Sequence, residues 1–162
     1  MIHEKLKALE MDIEKLAFDP GNVRKHNDKN IKAIEKSLKK FGQRIPIVVQ
    51  KKGLVVRAGN GRLEAAKNLG WDKIAALVID ESNTDAEAFA VADNRTSELA
   101  SWDFDALEKF FESVTSESIV GFDEAEIERL LNPKNDFLTQ EVDQSLFEEF
   151  KHECPKCGFK YD

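Results

Sequence analysis

Two stretches of this 162-residue chain carry residue types able to do chemistry. The first is Ala58-Gly59-Asn60-Gly61-Arg62-Leu63-Glu64-Ala65-Ala66. A chain that turns through Gly59 and Gly61 into a helix leaves the first helical N–H groups without backbone partners. Those donors, with the positive end of the helix dipole, favour a bound anion. Arg62 in the first turn adds a guanidinium fork suited to phosphate oxygens. The alternative is a plain strand-to-helix turn with Arg62 solvated, because short glycine motifs recur by chance. The second stretch is His152-Glu153-Cys154-Pro155-Lys156-Cys157-Gly158-Phe159. Cys154 and Cys157 have the spacing that aims two thiolates at one Zn²⁺, with His152 as a third ligand. A fourth would come from a second chain or from solvent. A redox dithiol and a metal-free half-ribbon are the alternatives, and a structural disulfide is disfavoured in a cytoplasmic chain.

The elements around the glycine turn must hold it in place. Leu54-Val55-Val56-Arg57 reads as a strand entering the turn. Leu63, Ala66 and Leu69 recur at helical spacing after it, and Gly70 supplies a C-terminal cap. Upstream, residues 1–10 read as a charged, frayed lead-in. Met11-Asp12-Ile13-Glu14-Lys15-Leu16 alternates like a strand with Ile13 turned inward. Asp19-Pro20-Gly21-Asn22 is a dense turn leading to the basic loop Asn22-Val23-Arg24-Lys25-His26, where His26 reads as polar surface. A helix capped by Asn27 or Asp28 follows, with Ile31, Ile34, Leu38 and Phe41 on its core face and Gly42 at its end. Ile45-Pro46-Ile47-Val48-Val49-Gln50 pairs as a hairpin with Leu54-Val55-Val56 across Lys51-Lys52-Gly53. Ile74–Ile79 is a further strand.

A helix capped by Asn83 or Thr84 then presents Ala86, Phe89, Ala90 and Ala92 and runs into Asp93-Asn94-Arg95. Asp93 and Asn94 could also simply cap or turn the chain there. Trp102 precedes a helix with Phe104, Leu107, Phe110 and Phe111, and Ile119-Val120-Gly121-Phe122 breaks it. Asp123 caps a last helix through Ile127, Leu130 and Leu131, stopped by Asn132-Pro133. The organisation expected is a core at 11–100, a helical extension at 101–132, an acidic linker at 133–151 and the cysteine tail at 152–162.

Composition narrows the classes. Hydrophobic residues make up 41% of the chain, enough for a core, and no apolar run approaches the length of a membrane span. The first residues lack a signal-peptide core, so a cytoplasmic location without membrane partners is expected. Net charge is −7, unevenly spread. Through Lys73 there are 17 Lys and Arg against 9 Asp and Glu, a balance of +8; the remainder holds 7 against 22, a balance of −15. A local anion-binding face fits this layout better than a uniform coating of DNA.

Three of these stretches together resemble the N-terminal domain of ParB-like and sulfiredoxin-like proteins, particularly the short phage-type members. Asn22-Val23-Arg24, Gly42-Gln43 and Ile45-Pro46-Ile47-Val48-Val49 are similar to that family's first box. Gly59-Asn60-Gly61-Arg62 with Ala65-Ala66 and Leu69-Gly70 is similar to its phosphate motif. Asp93-Asn94-Arg95 is similar to its third box, which usually begins Glu-Asn. The resemblance implies an α/β (α+β) domain with a mixed sheet that binds a nucleoside triphosphate, CTP or ATP, with Mg²⁺. Gly59, Asn60, Gly61 and Arg62 would hold the phosphates, and Arg24 would approach them. Asn94 would help coordinate Mg²⁺, and Asp93 would orient or activate water. Asn60 stands where sulfiredoxins carry a reactive cysteine, so the sulfur chemistry is lost. The chain also has Asn60-Gly61-Arg62 where ParB proteins usually have Glu-Arg-Arg.

The function expected from the resemblance is nucleotide binding in phage or mobile-element DNA metabolism, with weak NTPase activity. A different class is a catalytically silent adaptor that recruits a DNA-modifying enzyme such as a methylase or terminase. A third is a nuclease, for which the sequence offers no additional carboxylate and histidine cluster. The partners implied are nucleotide, DNA or a DNA-modifying protein, and a second copy of the chain through a shared zinc site.

Overall fold

Five short strands form one mixed sheet, and the glycine turn sits at the end of one of them. The computed structural model describes residues 1–115, 119–131, 152–153, 155–157 and 160–161. They fall into two compact units, Met1–Asp123 and Glu124–Asp162. In the first unit the strands are β1 (Glu10–Asp12), β2 (Ala17–Phe18), β3 (Ile47–Gln50), β4 (Val55–Ala58) and β5 (Lys73–Ile79). Their spatial order is β1-β5-β3-β4-β2. The β3–β4 and β1–β5 pairs are antiparallel, and β3–β5 and β2–β4 are parallel. The expected hairpin is therefore present, although its first strand begins at Ile47, leaving Pro46 just outside the ladder.

Helix α1 (Asp28–Phe41) packs against α2 (Asn60–Asn68), which carries the chain from β4 towards β5. The side chain of Asn27 accepts the N–H of Asn30 and starts α1. Ile31 and Leu38 bury the helix against the core with Ile34 beside them, whereas Phe41 stays largely exposed. The last predicted position thus leaves the core face, because the helix ends there and Gly42 turns away at φ +69°. Ile47, Val49, Val56, Leu63, Ala65, Ala66 and Ile74 complete a core under the sheet. Each fully buried Ile, Leu or Val contributes about 1.5–3 kcal/mol relative to exposure.

Several local expectations need correction. Residues Glu4–Leu9 form a 3-10 helix capped by His3 rather than a frayed lead-in, and Ile2 bridges to Gln43. The alternating run Met11–Leu16 is split. Only its first residues lie in β1, and Ile13–Lys15 is a 3-10 turn. Ile13 is buried all the same, because that turn drops it under the sheet. Buried Gln43 acts as a substitute ladder rung: its side chain accepts the Ala75 N–H (2.7 Å) and donates to the Ala75 carbonyl (2.8 Å).

Helix α3 (Asn83–Leu99) is capped by Ser82, whose hydroxyl accepts the N–H of Asp85 at 3.1 Å. Asn83 and Thr84 already lie inside it. Asp93-Asn94-Arg95 is mid-helix, so neither capping nor turning applies there. Ala86 and Ala90 bury this helix, while Phe89 and Ala92 stay exposed. Helix α4 (Phe104–Ser113) buries Phe111, which with Trp102 and Phe122 forms edge-to-face aromatic pairs. In the second unit, α5 spans Glu124–Leu131, and β6 (His152–Glu153) pairs antiparallel with β7 (Lys160–Tyr161).

Candidate functional site

Strand β4 delivers Arg57 and Ala58 to Gly59, where the backbone turns into α2 with φ +95°. This left-handed conformation favours glycine. A Cβ there would also lie 2.7 Å from Ile47 Cγ2. At Gly61 a Cβ would come within 2.9 Å of His26 Cε1 and 3.0 Å of Ile34 Cδ1. The second glycine therefore lets the first turn of α2 sit against the loop after Arg24 and against α1. Asn60, Gly61 and Arg62 occupy the first three helical positions, whose N–H groups have no partner within the helix.

Asn60 contributes its backbone to this turn and its side chain to the interior. Its Oδ1 accepts the N–H of Asp19 (3.2 Å) and its Nδ2 donates to the Val56 carbonyl (2.9 Å). Arg62 is half-buried. Its Nη1 donates to the carbonyls of Ile45 (2.9 Å) and Pro46 (3.1 Å). Burial pushes the guanidinium below its ordinary pKa, and the charge of Asp93 pulls it back up. Arg62 and Asp93 thus face each other electrostatically across the space between α2 and α3.

That space is a cleft of about 580 Å³. Gly59, Gly61 and Arg62 line it from the turn, and Asp93 and Asn94 line it from α3. Ile34, Ser37, Leu38 and Phe41 form its α1 wall, and His26 and the segment 42–45 complete it. The Asn94 Nδ2 donates back to the Ala90 carbonyl at 2.8 Å, which orients the carboxamide on the helix. Asn94 supplies a hard oxygen donor of the type that Mg²⁺ takes, and the Asp93 carboxylate lines the same cleft as the α2 N-terminus and a guanidinium. The donor set fits a metal-bound polyphosphate.

Arg24 stands in an adjoining cavity of about 400 Å³ lined by Val23, Lys25, Val91, Asn94, Arg95 and Glu98. Asn94 borders both spaces. Arg24 is therefore beside the cleft rather than in it, and its Nη1 is 2.6 Å from Glu98 Oε1. The structure brings five of the predicted residues (Gly59, Gly61, Arg62, Asp93 and Asn94) to one wall-to-wall space, with Asn60 beneath it.

Sequence reasoning missed two sets of residues. His26, read as polar surface, lines the cleft, and its Nδ1 is 2.6 Å from Asn30 Oδ1. Phe41 and Arg44 also meet on its lining, the guanidinium 5.4 Å from the ring centroid. The second set is a buried network behind the glycine turn. The Arg57 Nη1 donates to Asp19 Oδ2 (2.9 Å), and its Nε (3.1 Å) and Nη2 (2.8 Å) share Gln50 Oε1. Gln50 Nε2 in turn donates to Asn83 Oδ1 (2.9 Å) at the start of α3. A signal for it was present: Arg57 is a charge inside an otherwise apolar strand, and buried charges require partners.

The cysteine tail is only partly described. His152 falls in β6, Cys157 is exposed, and Cys154 and Gly158 lie outside the described residues. Among the described residues no group of three or more His, Cys, Asp or Glu is arranged to hold a metal ion. No described helix is long and apolar enough to cross a membrane.

Comparison with known proteins agrees with this architecture. The family model of the ParB N-terminal domain matches residues 3–95. The "ParB-like nuclease domain-containing protein YnaK" of Escherichia coli (strain K12) is 32% identical over 76 residues, covering 47% of this chain and 86% of that protein. Among solved structures, C-terminally truncated chromosome-partitioning ParB from Caulobacter crescentus, complexed with CTP-gamma-S, aligns with a TM-score of 0.63. It is 20% identical, covering 78% of this chain and 77% of that one, a likeness of fold. Sulfiredoxin from Arabidopsis thaliana gives a TM-score of 0.42 at 21% identity, covering 51% of this chain and 93% of that one. With its glycine turn, its mixed sheet and a family match over more than half its length, the chain belongs to the ParB N-terminal domain family.

Proposed function

We propose that the cleft binds a nucleoside triphosphate, CTP or ATP, with Mg²⁺, and that this binding serves phage or mobile-element DNA metabolism. The observation that carries the reading is the gathering of Gly59, Gly61, Arg62, Asp93 and Asn94 around one cleft from segments more than 30 residues apart. The phosphates lie at the first turn of α2, held by the N–H groups of Asn60, Gly61 and Arg62. Arg62 adds a cation whose Nη1 is already steadied by two carbonyls. Asn94 would help hold the Mg²⁺, which would supply charge neutralisation for the phosphate oxygens. The apolar wall of Ile34, Leu38 and Phe41 takes the less polar part of the nucleotide. DNA enters the proposal as a partner of the nucleotide-bound protein, by analogy with the family.

Weak hydrolysis is the finer part of the proposal. Asp93 is the carboxylate on the cleft wall able to accept a proton from an attacking water. Asp93→Asn would then abolish phosphate release while leaving nucleotide binding within a few-fold of wild type. A thermal-shift assay tests binding itself. CTP or ATP at 100 times its dissociation constant stabilises the fold by about 2.7 kcal/mol and raises the melting temperature. No shift with either nucleotide would contradict the reading.

An adaptor that recruits a DNA-modifying protein is the second reading. It is supported by large apolar side chains left exposed around α4, namely Trp102, Phe104 and Phe110. Arg62→Ala separates the two, since an adaptor tolerates the loss of a phosphate ligand. The zinc reading of Cys154, Cys157 and His152, with a site shared by two chains, remains a proposal of the same kind.

A further inference from the structure

Arg24 is the one residue of the predicted phosphate set whose side chain is engaged by a carboxylate. Its Nη1 lies 2.6 Å from Glu98 Oε1, and both side chains are roughly half-exposed. Glu98 also faces Arg95, whose Nη1 is 3.5 Å from Oε2. The backbone of Arg24 is held independently of this pair. Asn22 Oδ1 accepts the Arg24 N–H (3.1 Å), and Asn22 Nδ2 donates to the Arg24 carbonyl (3.0 Å). The loop is therefore already built, and breaking the ion pair would release the guanidinium alone. A long, flexible arginine side chain on a fixed backbone can swing without refolding anything. Asn94, which borders both the Arg24 cavity and the cleft, stands between the parked guanidinium and the phosphate end.

We propose that Glu98 is a competing counter-ion that parks Arg24 beside the cleft, and that an arriving polyphosphate takes the guanidinium from it. This regulation rests on the nucleotide reading of the cleft. The chemistry favours the exchange. An exposed carboxylate pair is weak and screened by salt, whereas a polyphosphate offers several charged acceptor oxygens to the same fork. Glu98 also adds a negative charge that repels an incoming anion. Removing it acts in the opposite sense to most substitutions near a binding site: it strengthens binding.

The test compares wild type, Glu98→Gln and Arg24→Gln by two readouts. The first is ligand-free and uses phenylglyoxal labelling of Arg24, followed by mass spectrometry. Labelling should be several-fold faster in Glu98→Gln than in wild type; an equal rate would overturn the parked state whether or not any nucleotide binds. The second is titration with CTP and ATP in the presence of Mg²⁺. Affinity should tighten roughly two- to five-fold in Glu98→Gln, the range an exposed ion pair supplies. It should weaken in Arg24→Gln, and the gain from Glu98→Gln should vanish in the double variant. Unchanged or weaker binding in Glu98→Gln would mean that Glu98 orients Arg24 instead, and would overturn the proposal. If wild type binds neither nucleotide, the reading of the cleft fails, and the labelling rate still decides whether Glu98 parks Arg24.

Discussion

Gly59 and Gly70 share a positive φ but differ in what surrounds them, which makes them a matched pair. A Cβ at Gly59 would strike Ile47 at 2.7 Å, whereas a Cβ at Gly70 would meet nothing within 4 Å. Gly70→Ala should therefore cost only the left-handed strain, about 1 kcal/mol. Gly59→Ala should cost that and the overpacking against β3, roughly 2–4 kcal/mol in all. Urea denaturation of the two variants measures the difference directly, and equal losses would show that the contact with Ile47 relaxes freely. The need for glycine at both positions was legible from the run of β-branched residues, glycines and helix formers. The role of the Asn60 side chain was not. A turn motif specifies backbone geometry, while the partners of Asn60, the Asp19 N–H and the Val56 carbonyl, are set by how the chain folds back on itself.

At the scale of elements, the glycine turn is held from behind by a network linking four segments. Arg57 on β4 engages Asp19 on the turn before the Arg24 loop and Gln50 on β3, and Gln50 reaches Asn83 on α3. Both side chains of the Arg57–Asp19 pair are buried. Such a pair stabilises little relative to apolar residues, but removing one partner strands the other charge. Arg57→Met should then cost about 3–5 kcal/mol, and Asp19→Asn together with Arg57→Met should cost clearly less than the two single losses added. Chemical denaturation of the cycle checks this; simple additivity would show that the two groups act independently.

This network explains why the elements were easier to read than their arrangement. The apolar periodicity of α1 and the β3–β4 hairpin are local patterns. The Arg57–Asp19 contact spans 38 residues and leaves no periodic trace. The helix through Asp93-Asn94-Arg95 was misjudged for the opposite reason. Three polar residues look like a helix end, but α3 buries only the narrow stripe of Ala86 and Ala90 and can carry polar groups on every other face. Its observed cap, Ser82, lies one or two residues before the expected Asn83 or Thr84, because all three are competent cap residues and the choice depends on where the chain leaves β5.

At the scale of the molecule, the basic and acidic halves meet in the first unit. The surplus of Lys and Arg lies in the segment that ends with β5's first residue, and α3, which supplies Asp93 and Asn94, comes from the acidic remainder. The cleft is where these halves meet, which suits a ligand carrying both phosphates and a metal cation. The cysteine tail makes a separate prediction. If Cys154, Cys157 and His152 bind a zinc whose fourth ligand comes from a second chain, protein purified without chelator should hold zinc and be dimeric. The dimer should dissociate on treatment with a strong chelator. Metal analysis combined with light scattering decides it: a monomer carrying no zinc would remove the shared site and leave the cleft untouched.

The central claim, that the glycine turn and its arginine form a triphosphate site, is tested most directly by isothermal titration of CTP and ATP with Mg²⁺ into wild type and Arg62→Ala. The account predicts micromolar binding of at least one nucleotide by wild type and a loss of at least about 100-fold in the variant, on the scale of a charged group removed from a polyphosphate. Equal binding by both proteins would place the nucleotide elsewhere. No heat with either nucleotide would contradict the claim and leave a ParB-family fold acting through its exposed aromatic surface.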